Sequence, residues 1–288
     1  MPERLCAMEL FDAGRAAVVG SRVITLLRSA LRGYPRRSPV TAGYLVVLLL
    51  VHLWLDHAAG SRTAAAVLAG VSTNLDNLAH DPIGVLLGSA LFIDGPLTPA
   101  FSLDYGATLI TLVLGVGCAL AWLEHRVGAV RAWTVFAAGH VGATLLTAGV
   151  IICGIDAGWY PASLRHTLDF GISYGAQAAL AAVTFALRRR LRPWWALCVL
   201  AWPLAGWAAS GTLVPDFTTV GHLIAAAIGF PLGAWLLAPA RAGQRRGGGE
   251  SGPGGRGTAC GAETSERSLR WRGSGTAAQF SSRSRTVL

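Results

Sequence analysis

From Thr167 to Leu187 the chain carries one charged residue, Asp169, and then meets Arg188, Arg189, Arg190 and Arg192. A run of roughly 20 apolar residues is the length that crosses a bilayer as a helix. The run opens Asp169-Phe170-Gly171-Ile172-Ser173-Tyr174-Gly175, which places a serine about one helical turn inside its uncharged end. Only 14% of the 288 residues are charged, 53% are hydrophobic, and the mean hydropathy is +0.50. A soluble domain carries about 25% charged residues. The expected fold is therefore an all-α polytopic membrane helix bundle, with the lipid bilayer as its first partner.

The formal charge of +9 does not point to nucleic acid. All 24 basic residues are Arg, and they gather at the ends of apolar runs, where they orient membrane proteins. Arg-only usage beside abundant Ala and Gly suggests a GC-rich bacterial genome, and hence a bacterial plasma membrane. Cys6, Cys118, Cys153, Cys198 and Cys260 are scattered without a C-x-x-C pair, so neither a metal site nor a disulfide framework is indicated. Arg22 and Arg28 interrupt the first apolar stretch, which does not read as a plain signal peptide.

Three regions are expected. Residues 1–38 form a basic cytoplasmic arm, with Val18, Val19, Val23, Leu26, Leu27 and Leu31 able to line one helix face. Residues 39–238 form the membrane domain, and residues 239–288 a Gly/Ser/Arg-rich tail that cannot bury a core. Six spans are expected, at about Pro39–Leu55, Leu103–Leu123, Val130–Ile152, Thr167–Leu187, Pro193–Leu213 and Phe217–Leu237. The short apolar run Ile83–Phe92 is expected to lie in the interface or to re-enter the protein, with a break at Gly95 and Pro96. The connections after the second and fourth spans, the arm and the tail hold nearly all the arginines. Both termini are therefore expected in the cytoplasm.

In that topology the fourth and sixth spans both enter from outside. Ser173 and His222 would each lie roughly 7–9 Å below the outer ends. Both segments repeat small residues every fourth position: Gly171, Gly175 and Ala179 on one, Gly221, Ala225, Gly229 and Gly233 on the other. Such stripes let membrane helices approach closely. A serine becomes a useful nucleophile when a neighbouring base takes its proton, and neutral imidazole is that base near pH 7. The competing reading is that Ser173 bonds its own backbone and His222 glues spans together. His140, deep in the third span, reads as a substitute supporting residue or as interhelical glue. Asp169 reads as a helix cap. Gly171-Ile172-Ser173-Tyr174-Gly175 also fits G-x-S-x-G, but an apolar span flanked by arginines is not the strand-turn-helix that this elbow needs.

These motifs resemble the rhomboid intramembrane serine proteases. Gly171-Ile172-Ser173 matches the start of their G-x-S-G, and Gly221-His222 followed by Ala225 and Gly229 matches their [GA]-H and small-residue stripe. Glu124-His125-Arg126-Val127-Gly128 is similar to their E-x-R-x-G at the cytoplasmic end of the second span. The resemblance covers about residues 39–238 and looks closest to actinobacterial rhomboid-like membrane proteins, whose fourth span reads D-x-G-x-S-Y-G. It implies Ser173 as nucleophile, His222 as general base, no metal or cofactor, and single-pass membrane proteins as substrates, cleaved near the outer face.

The chain also departs from that pattern. Tyr174 replaces the glycine after the serine, and Gln177 replaces the aromatic that packs on the histidine. Active rhomboids carry H-x-x-x-N in the second span; counting back from Glu124 gives Thr108 and Leu112 instead. Gly171, Tyr174, Gln177 and His140 are the candidates for a supporting shell. Besides a protease, the sequence leaves open a catalytically inactive rhomboid-like protein that binds membrane clients, and a small transporter.

Overall fold

The computed structural model describes residues 33–93 and 103–238. The expected N-terminal arm before residue 33, the break at Gly95 and Pro96, and the tail from Pro239 lie outside the described residues. Among the described residues there is no strand.

Helix α1, Pro39–Leu53, begins with proline at its first turn and runs on through a π-helical turn, Trp54–Ala58. Three short helices follow: α2, Ser61–Val71; α3, Leu75–His80; and α4, Pro82–Ser89. Asn74 and Asp81 cap the last two, each accepting from the amide three residues on. The apolar side chains of α4 divide, with Val85 buried and Ile83 and Leu87 exposed. That division suits a helix lying at an apolar surface.

Helix α5 starts as Leu103–Leu109, loosens into a π-helical stretch, Ile110–Leu120, and returns to α geometry over Ala121–Val127. Gly128 then takes φ +88°, a left-handed conformation open to glycine, and α6, Ala129–Asp156, turns back. This is the physical content of Glu124-x-Arg126-x-Gly128. Gly128 makes the corner, while Glu124 reaches across to the start of α1. One carboxylate oxygen accepts from the Val40 amide at 2.9 Å, the other from the Thr41 amide at 2.8 Å and its hydroxyl. A carboxylate on the unsatisfied first-turn amides of a helix meets both its hydrogen-bonding need and its dipole. Tyr34 joins the same end by donating to the Gly117 carbonyl at 2.9 Å, and burial pushes its phenol up to about 12.

The expected fourth span is shorter than its apolar run. Helix α7 is Ile172–Val183, extended by a 3₁₀ turn, Thr184–Ala186. Residues 167–170 stay out of the helix, and the first loop docks on them. Thr73 N–H donates to the Asp169 carbonyl at 2.9 Å, and Asp169 N–H donates to Ser72 Oγ at 2.9 Å. At the other end Arg192 donates to the carbonyls of Phe185 and Leu187, closing the helix. The 15 residues rise only about 22 Å. Among the described residues, four helical segments are long and apolar enough to cross a membrane: Pro39–Ala58, Gly106–Val127, Ala129–Asp156 and Phe217–Leu236, while Ile172–Ala186 is a shorter apolar helix.

Helix α8 is Arg192–Ser210 and α9 is Phe217–Leu236. α7 sits at the centre, with Ala176 and Ala178 through Ala182 buried against α5, α6 and α9. Its small residues do not all face one partner, as the sequence suggests. Gly175 faces the Phe136 ring on α6, while Gly229 and Gly233 of α9 press on the Ala178 and Ala182 backbone. Gly139 of α6 also presses on Ala178, so α6 and α9 both close on this part of α7.

Candidate functional site

A cavity of about 220 Å³ opens where the start of α7 meets α5, α8 and α9. Thr111, Asp169, Ser173, Trp202, Thr218 and His222 supply its polar and aromatic wall. The two residues singled out as a nucleophile and a base thus share one cavity. Ser173 is on the first turn of α7 and half-buried, so its side chain is reached from the cavity. His222 is the sixth residue of α9 and 8% exposed.

The His222 ring is fixed on three sides. Its Nδ1 lies 2.6 Å from the Thr218 carbonyl one turn back. A carbonyl only accepts, so in the neutral ring Nδ1 carries the hydrogen and Nε2 presents a lone pair. Nε2 is buried and has no partner among the described residues. The Tyr174 and Trp202 rings both meet the imidazole edge-on, at centroid distances of 5.0 and 4.8 Å. No hydrogen bond joins Ser173 to His222.

Each flanking ring is itself tethered. Tyr174 O–H donates to Asp169 Oδ1 at 3.2 Å, and Thr73 O–H donates to Asp169 Oδ2 at 3.3 Å. Asp169 is therefore not the cap of α7; Gly171 holds that position without a side-chain bond. Trp202 Nε1–H donates to Gln177 Oε1 at 2.9 Å, and Gln177 Nε2 donates to the Val199 carbonyl at 2.7 Å. Pro203 has no amide to offer the carbonyl four residues earlier, which is that of Val199. Gln177 fills the gap. Both ends of its amide are engaged, so Gln177 acts through Trp202 rather than pointing into the cavity.

His140 stands apart from this cavity. Its Nε2 lies 2.7 Å from the Leu86 carbonyl, tying α6 to α4, and its ring stacks on Phe136. Gly171 is needed at that contact: a Cβ there would run into the His140 ring and lie 2.8 Å from Thr144 Oγ1. The cavity thus gathers Ser173 and His222, with Tyr174 and Gln177 behind them, and leaves out His140. Sequence reasoning missed Trp202, the tether role of Asp169, and Thr111. A glutamine in an apolar helix is itself a signal, because its amide must find partners when buried. Among the described residues no cluster of His, Cys, Asp or Glu is placed to hold a metal ion.

A family model described as rhomboid-like protein matches residues 33–241. No curated protein and no solved structure matches the chain.

Proposed function

The chain belongs to the rhomboid-like protein family, and from that premise we propose that it is an intramembrane serine protease acting through Ser173 and His222 on single-pass membrane proteins. The observation that carries the reading is the unpartnered His222 Nε2 on the wall of the cavity that holds Ser173. The tautomer imposed by Thr218 leaves that nitrogen as a base rather than a donor.

The reaction is acyl transfer. Ser173 Oγ bonds to the peptide carbonyl carbon as its proton passes to His222 Nε2, and the carbonyl π pair moves onto oxygen. The tetrahedral intermediate collapses, the C–N bond breaks, and the leaving amine takes the proton from His222. Water then attacks the acyl ester, gives a proton to His222, and releases the acid as the proton returns to Ser173. No acid stands behind the imidazole; the Thr218 carbonyl holds its Nδ1–H instead.

A specific observation favours the second reading, a catalytically inactive family member that binds membrane clients. Ser173 and His222 are not hydrogen-bonded. Catalytic hydrogen bonds often tighten only when substrate is bound, which is why the protease reading stands first. The two separate in proteoliposomes carrying a single-pass reporter. The protease reading expects a new fragment cut near the outer face, whereas an intact reporter co-purifying with the protein supports client binding.

We further propose six spans in a bacterial plasma membrane, with α7 and α8 completing the four long helices and both termini cytoplasmic. The arginines at the α7–α8 connection support this side. A cysteine at Arg189 should label only after the membrane is permeabilised. Labelling from outside would reverse the topology.

A further inference from the structure

We propose that the Thr111 hydroxyl donates to the oxyanion formed at Ser173. This rests on the protease reading and extends it to the group that stabilises the developing charge. Thr111 lies on the wall of the same cavity as Ser173 and His222. It is 7% exposed, no hydrogen bond joins its hydroxyl to a described residue, and the oxygen is not among the fully buried unpaired atoms. A helix threonine ordinarily bonds back to the carbonyl four residues earlier, as Thr134 does to Val130 at 2.8 Å. A hydroxyl on a cavity wall without such a bond is placed to donate to a ligand that accepts.

The backbone explains why Thr111 is there. The spacing of the resembled family, counted back from Glu124, gives Thr108 and Leu112. Over Ile110–Leu120 the helix is π-helical, so each turn takes more residues and the register shifts. Leu112 packs instead against the main apolar cluster, and Thr111 turns to the cavity. Gly115, one turn on, lets α5 lie against Ala176 of α7 and brings the threonine near the first turn that carries Ser173.

The chemistry follows from charge development. When Ser173 Oγ adds to a carbonyl carbon, a full negative charge grows on the carbonyl oxygen. The helix start offers the Ser173 amide, with the positive end of the α7 dipole behind it. The Thr111 O–H is a second donor, and it keeps its proton throughout. Removing one such donor costs about 10²–10³ in rate.

The test uses full-length protein in detergent, with a fluorophosphonate probe labelling Ser173 and a reporter substrate for kcat and KM. Thr111→Val keeps the shape and removes the hydroxyl; Thr111→Ser keeps the hydroxyl. The expected result is a labelling rate and kcat about 100-fold lower in Thr111→Val, with KM unmoved and Thr111→Ser within a few-fold of wild type. Equal labelling of wild type and Thr111→Val overturns the proposal and leaves the dyad standing. An equal fall in both variants also overturns it, because packing and not the hydroxyl is then at work. Wild-type protein that never labels overturns the protease reading, and this inference with it.

Discussion

His222→Ala is expected to reduce turnover of a membrane reporter by about 10⁴-fold or more, with the fold intact. A serine hydroxyl has almost no nucleophile at neutral pH unless a base removes its proton as the bond forms, and loss of the base from such a pair is about as costly as loss of the serine. The ring sits between Tyr174 and Trp202, so its removal leaves a cavity as well as a missing base. His222→Gln separates the two effects by restoring much of the volume without a base. Turnover that recovers in His222→Gln would show that the ring acts by packing. The rate should also follow the tethers: Gln177→Leu releases Trp202 and leaves the Val199 carbonyl unsatisfied, so it should lower kcat less than His222→Ala does.

Gly229→Leu is expected to produce the largest loss of stability, about 3 kcal/mol or more, at or beyond the upper end of the usual overpacking penalty. A Cβ on Gly229 would lie 2.7 Å from the Ala178 Cα, and the obstacle is backbone, which cannot swing away. α9 must then move off α7, and His222, two turns earlier on α9, moves with it. Thermal melting in detergent measures the loss. Gly206→Leu on α8 is the matched control, because nothing lies within 4 Å of a Cβ there. Equal melting temperatures for the two variants would show that close approach of α7 and α9 does not hold the bundle together.

Much of the scaffold was legible because it is written in local patterns. Apolar length locates α5, α6 and α9 to within a few residues, and Glu124 and Gly128 mark a real corner. The start of α7 was not, because Ser72 and Thr73 hold Asp169 from nearly a hundred residues away. No periodicity within residues 167–187 reports that pairing. The same limit hid Thr111, since motif spacing has no way to foresee a π-helical stretch. Ser173 and His222 stood out because a serine between two glycines and a histidine on a small-residue stripe are rare inside apolar runs. The residues that support them are an ordinary tyrosine, glutamine and tryptophan, and only three-dimensional packing gives those a role.

The most direct measurement of the central claim is covalent labelling of the wild-type protein by a fluorophosphonate, with the modified residue mapped by mass spectrometry. The account predicts a single adduct on Ser173, absent in Ser173→Ala and reduced to background in His222→Ala. Labelling of Ser173 that survives intact in His222→Ala, or no adduct on Ser173 in the wild type, would contradict it.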